Sequence, residues 1–84
     1  MRISEREKLV LNAIIDYYLT VGDTIGSRTL VKKYGIELSS ATIRNVMADL
    51  EDMGFIEKTH TSSGRIPTDM GYKYYLTELL KVEK

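Results

Sequence analysis

Cysteine and tryptophan are missing from this 84-residue sequence, and proline, histidine and phenylalanine occur once each. Without cysteine there is no disulfide framework, no thiolate metal site and no thiol nucleophile, and a single histidine cannot build a metal cage. No apolar run approaches the roughly 18 residues a membrane helix needs, and the N-terminus lacks the charged-then-apolar pattern of a secretory signal. The expectation is a cytoplasmic protein with no membrane partner, no metal and no cofactor. Net charge is absent too, because 12 basic and 12 acidic side chains cancel, which argues against the strongly basic surface common among nucleic-acid binders. There is also too little chain for two cores, since a domain of this size buries only about 60 to 65% of its unfolded surface. One domain over residues 1–84 is expected, and 43% apolar with 29% charged residues suits a globular chain better than a disordered one.

What is present becomes informative when charge is followed along the chain. Residues 27–48 hold four basic groups and one acidic, 49–57 hold four acidic and no basic, and 58–68 hold two basic and no acidic. Two positive islands flank a negative one. A solvated face accounts for such a pattern as readily as an anion-binding surface does.

Ser4 followed by Glu7 is a capping box, so a first helix should run from about 5 to about 20. Val10, Ala13, Ile14, Tyr17 and Tyr18 share one face of it, widened by Leu11 and Ile15, so more than half of its surface needs cover. Thr24-Ile25 is long enough only for a short strand or an extended entry. A second helix is expected over about 27–34, capped by Ser27 and ended by Gly35, with Leu30, Val31 and Tyr34 facing inward. After a short connection, Ser39 or Ser40 should cap a third helix over about 40–53 that stops at Gly54. A helix, a short Gly-containing turn and another helix read as a helix-turn-helix.

The third helix has two different faces. Ile43, Val46, Met47, Leu50 and Met53 form a core stripe. The other side presents Ser40, Ala41, Arg44, Asn45 and Ala48, one guanidinium and one carboxamide among side chains too small to hold the helix off a surface. Arg and Asn match the edges of guanine and adenine in the major groove, and the helix N-terminus favours phosphate. Asp49, Glu51 and Asp52 stand at the far end, away from a duplex entered N-terminus first. A solvated arginine among helix-forming alanines is the plainer alternative.

Phe55 to His60 and Arg65 to Thr68 can pair across Thr61-Ser62-Ser63-Gly64, a hairpin spanning about 55–68. Thr68 and Asp69 can cap a last helix over about 69–81, in which Tyr72, Tyr75, Leu76, Leu79, Leu80 and Val82 make an apolar arc and Tyr74 points outward. The fold class expected is therefore mainly α with a small β-hairpin: a winged helix-turn-helix of three helices, a wing and a C-terminal helix. Two further readings are open to these residues. A winged-helix module that binds another protein and no specific DNA is the alternative function. Catalysis fares worse, because His60 near Ser62 and Ser63 has no orienting carboxylate or oxyanion pocket, so the chain is not expected to be an enzyme.

Five segments carry a specific resemblance: Ser39-Ser40-Ala41-Thr42-Ile43-Arg44-Asn45, Met47-Ala48-Asp49-Leu50-Glu51, Gly54-Phe55-Ile56, His60 through Asp69, and Gly71-Tyr72-Lys73-Tyr74-Tyr75. Together they resemble the N-terminal DNA-binding domain of the HrcA family of bacterial heat-inducible transcription repressors. The resemblance spans essentially the whole chain and departs from the family pattern at Val46 and Thr59, where an acidic residue and a proline are common. It implies a repressor that acts as a homodimer on an inverted-repeat operator of chaperone genes, with a chaperonin as a further partner through regions beyond residue 84. On that footing the 84 residues are either an excised domain or a naturally short relative.

The expected mechanism is insertion of the third helix into the major groove of double-stranded DNA. Arg44 and Asn45 read bases there, while Ser39, Ser40, Ala41 and Thr42 fix the approach. Ser27, Arg28, Lys32 and Lys33 of the second helix and Lys58, His60, Thr61, Ser62 and Arg65 of the wing add backbone contacts.

Overall fold

Reciprocal capping starts the chain's first helix. Ser4 Oγ accepts from the Glu7 N–H at 3.1 Å, and Glu7 Oε1 accepts from the Ser4 N–H at 2.9 Å. The computed structural model describes residues 3–59 and 64–82. This helix, α1, runs Glu5–Val21, followed by α2 (Ser27–Tyr34), α3 (Ser40–Asp52), β1 (Ile56–Lys58), β2 (Arg65–Pro67) and α4 (Asp69–Val82). The mainly α winged helix-turn-helix expected from the sequence is the architecture observed.

Each helix boundary has a local cause. Gly35 ends α2 at φ 60°, in the left-handed region that a β-carbon disfavours, and its N–H reaches the Val31 carbonyl at 3.1 Å. Ser39 caps α3 by accepting from the Thr42 N–H at 3.1 Å. Thr68 Oγ1 does the same for α4, accepting from the Gly71 N–H at 3.1 Å, and also donates to the Gly54 carbonyl at 2.6 Å. One expected cap is corrected. Gly26, not Ser27, holds the N-cap of α2, and no side chain caps that turn. An N-cap residue needs extended backbone angles; Gly26 has them at φ −104°, ψ 173°, whereas Ser27 is already inside the helix.

The core forms where α1 crosses α3 and the hairpin base. Val10, Leu11, Ile14 and Ile15 of α1 pack with Leu30 of α2 and with Ile43, Met47 and Leu50 of α3. Burying each such aliphatic side chain contributes about 1.5 to 3 kcal/mol. The β1–β2 ladder is antiparallel, pairing Ile56 with Pro67, Glu57 with Ile66 and Lys58 with Arg65. Ile25 adds one bridge to its outer edge through Arg65, the extended entry that Thr24-Ile25 suggested.

The last helix departs from expectation in two ways. Tyr74 does not point away from the protein; its ring lies 5.4 Å from that of Phe55, against the core. The leucines of the expected arc, Leu76, Leu79 and Leu80, are instead exposed, because the main neighbours of α4, α1 and β2, meet its tyrosine-bearing part. The side chain of Val82 lies outside the described residues.

Candidate nucleic-acid interface

Burial of one stripe of α3 dictates what its other side shows. With Ile43, Val46, Met47 and Leu50 inward, the residues Ala41, Arg44, Asn45 and Ala48 are exposed, and Ser40 and Thr42 are half-buried at the helix start. Ser39 and Thr42 are occupied with one another: Ser39 Oγ donates to Thr42 Oγ1 at 2.9 Å while capping the helix. At a rise of about 1.5 Å per residue, Asp49 and Asp52 lie about 7.5 and 12 Å farther along the axis than Arg44. The second distance exceeds the Debye length of about 10 Å at 0.1 M salt, so Asp52 is largely screened from whatever Arg44 meets.

Two positive side chains from different elements come together beside this face. Gly26, Ser27, Arg28 and Thr29 at the start of α2 share with Arg44 the lining of a cleft of about 360 Å³. The uncapped first turn of α2 therefore opens on the same space as two guanidinium-bearing side chains, an arrangement suited to an anion. Lys32 is exposed farther along α2. Lys33 is directed elsewhere, its ammonium 6.0 Å from the centre of the Tyr17 ring.

The wing divides the remaining expected residues into three groups. Lys58 is exposed at the end of β1. His60, Thr61 and Ser62, with Ser63, lie outside the described residues. Arg65 is a correction, since it does not face solvent as a phosphate ligand would. It is 9% exposed, its Nε donates to Glu51 Oε1 at 3.2 Å, and a terminal nitrogen donates to the Gly64 carbonyl at 3.3 Å. A guanidinium withdrawn from water needs a charged partner, and Glu51 supplies it.

Two contributors escaped the sequence reading. In sequence Glu51 reads with Asp49 and Asp52 as one acidic end, yet among the described residues it is the one of the three that forms an ion pair, with Arg65. No spacing rule links residues 14 apart on different elements. Gly71 was read only as part of a motif, although a β-carbon there would run into the Phe55 carbonyl oxygen. A glycine inside a helix, at about 1 kcal/mol less favourable than alanine, was the available hint. Among the described residues no group of three or more His, Asp or Glu side chains could hold a metal ion, and no helix is long and apolar enough to cross a membrane.

Comparison with known proteins gives concordant results. Residues 2–81 match the family described as winged helix-turn-helix transcription repressor, HrcA DNA-binding. The chain is 98% identical over 84 residues to the heat-inducible transcription repressor HrcA of Fusobacterium nucleatum subsp. nucleatum, covering 100% of this chain and 24% of that protein. It is 54% identical over 82 residues to the HrcA of Geobacter sulfurreducens, covering 98% and 24% respectively. The chain thus spans about a quarter of the length of these curated relatives. A crystal structure described as a hypothetical protein superposes with a TM-score of 0.90 at 42% identity, covering 95% of this chain and 26% of that one.

Proposed function

The chain belongs to the HrcA family of winged helix-turn-helix transcription repressors, and from that premise we propose that it binds double-stranded DNA sequence-specifically, at an inverted-repeat operator of chaperone genes. The observation that carries this reading is the exposed face of Ala41, Arg44, Asn45 and Ala48, backed by a buried stripe and flanked by the cleft that Arg44 shares with Arg28. A helix must come within hydrogen-bonding distance of base edges to read them, and alanines at 41 and 48 leave that approach open. Arg44 and Asn45 then supply the forked groups that discriminate guanine and adenine, each good bidentate pair being worth about 1 to 3 kcal/mol. Arg28 and the first turn of α2 hold a phosphate, and Lys32 and Lys58 add charge along the backbone. Repression follows from occupancy of the promoter.

An inverted repeat calls for two recognition helices about 34 Å apart, one turn of the duplex. A homodimer of the full-length family protein would provide them, with response to a chaperonin assigned to regions outside these 84 residues.

The test begins with a duplex selected from a randomised pool for binding to this chain, compared with a shuffled duplex by fluorescence anisotropy at two salt concentrations. Arg44→Ala should weaken the selected duplex by about 1 to 3 kcal/mol and the shuffled one by much less, whereas Lys32→Ala should weaken both alike. Equal losses on both duplexes from Arg44→Ala would remove the base-reading role. Absence of duplex binding at low ionic strength, together with a salt-insensitive protein complex, would favour the protein-interaction alternative.

A further inference from the structure

We propose that the Glu51–Arg65 ion pair is the joint that sets the wing against the recognition helix, making Glu51 and Arg65 positioning residues for Lys58. The inference rests on the DNA-binding reading above and assigns Arg65 a different part in it. A ladder of three residue pairs is too short to hold its own orientation, because isolated two-stranded hairpins are marginal in water. The angle of the wing must come from its attachments. At the base, Thr68 Oγ1 donates to the Gly54 carbonyl at 2.6 Å. On the outer edge, Arg65 exchanges backbone hydrogen bonds with the buried Ile25, at 3.1 and 3.3 Å. On the helix side, the Arg65 guanidinium reaches Glu51 in the last turn of α3 at 3.2 Å.

β1 also packs on α3, but the ion pair is the link that ties the second strand of the wing to the last turn of that helix. Its two side chains are 11% and 26% exposed, so rocking the wing outward would separate a pair that is largely withdrawn from water. An ion pair withdrawn from water is a weak source of net stability, and its part here is to fix which strand meets which turn of the helix. Lys58 stands opposite Arg65 in the ladder, so whatever fixes Arg65 fixes the strand end that carries Lys58. The pair also cancels the Glu51 carboxylate at the end of α3 and leaves Arg65 unavailable to phosphate.

The experiment uses this chain and a random-sequence duplex, with Glu51→Ala, Glu51→Gln, Lys58→Ala and each Glu51 variant combined with Lys58→Ala. Thermal unfolding of every variant establishes that it is folded at the assay temperature. If Glu51 acted only through its charge, removing a carboxylate near DNA would tighten binding, equally for Ala and Gln. The joint requires the opposite sign: Glu51→Ala weakens binding, roughly threefold to tenfold as for coupled neighbours, and Glu51→Gln, which keeps an acceptor for Arg65, weakens it less. Lys58→Ala lowers the salt slope by about 0.9 in the unaltered chain and by clearly less when Glu51 is Ala. Should Glu51→Ala fail to fold, the same comparison with Glu51→Gln decides. Unchanged or tighter binding, with Lys58→Ala costing the same in every background, overturns the joint alone. Failure of the unaltered chain to bind duplex at low salt removes the underlying DNA-binding reading and the joint with it.

Discussion

In α3, Ile43, Val46, Met47 and Leu50 recur every three to four residues and all four are buried. In α4, Tyr72, Tyr75, Leu76, Leu79 and Leu80 recur in the same way, yet Leu76, Leu79 and Leu80 are 51%, 43% and 66% exposed. Neighbours, not periodicity, make the difference. Helix α3 is packed by α1, α2 and β1, whereas α4 packs mainly on α1 and β2, chiefly through its tyrosines. An apolar stripe identifies the face that would gain from cover; the topology decides whether cover is there.

The comparison breaks if equivalent truncations in the two helices cost the same. Ile43→Ala removes a wholly buried side chain and should destabilise the chain by about 2 to 5 kcal/mol, the range for large-to-small changes in cores. Leu79→Ala in α4 should cost far less in the same urea titration. Comparable losses would mean that α4 is as well covered as α3. The next largest effect is expected at Gly71, where α4 comes closest to the base of the wing. Alanine there would ordinarily gain up to about 1 kcal/mol of helix propensity. Its β-carbon, however, would meet the backbone of Phe55, which cannot swing aside as a side-chain tip can, and overpacking of this kind costs about 1 to 3 kcal/mol. The steric term wins, so Gly71→Ala should lower the urea midpoint; a rise would show that α4 can slide on Phe55.

A smaller effect sharpens the contrast from the other side, where α1 and α2 are tied by a polar contact. The Tyr34 hydroxyl donates to Asp16 Oδ2 at 2.9 Å, and burial, reinforced by that bond, pushes the phenol up to about 12. A raised phenol pKa means stability that is fully present below pH 10 and falls as the unfolded tyrosine ionises between about pH 10 and 12. Tyr34→Phe should cost about 1 kcal/mol at neutral pH, the usual worth of one hydrogen bond, and should flatten the alkaline decline. Parallel declines in the two chains would place the alkaline sensitivity at other groups.

Much of this was legible in the residues. Ser4 with Glu7, Gly35 and Gly54 punctuate helices by local rules, and the two faces of α3 follow from spacing alone. The outward Arg44 and Asn45 were therefore identifiable before any coordinate. The partnership of Glu51 with Arg65 was not, because a charge that is paired and one that is solvated look identical in sequence. The same holds for Tyr74, which periodicity sent outward and Phe55 drew in. Ser27 was misread by one position, since capping depends on which residue keeps an extended backbone, and glycine at 26 adopts that angle without contributing a side chain.

The smallest expected effect tests the exposed end of α4. Leu80 is 66% exposed, and leucine and lysine have nearly equal helix propensities, so neither backbone nor packing distinguishes them there. A lysine in the last turn also complements the helix dipole, by about 0.3 kcal/mol or more where screening is slight. Leu80→Lys should therefore leave the urea midpoint within about 0.5 kcal/mol of the parent, the ordinary range for surface changes. A loss above about 1.5 kcal/mol would require that Leu80 be covered in solution. That cover would have to come from a second molecule, so the loss should then grow with protein concentration, because association stabilises by mass action. A concentration-independent midpoint, unchanged by lysine, leaves the leucine face of α4 as bare as the apolar stripe of α3 is covered.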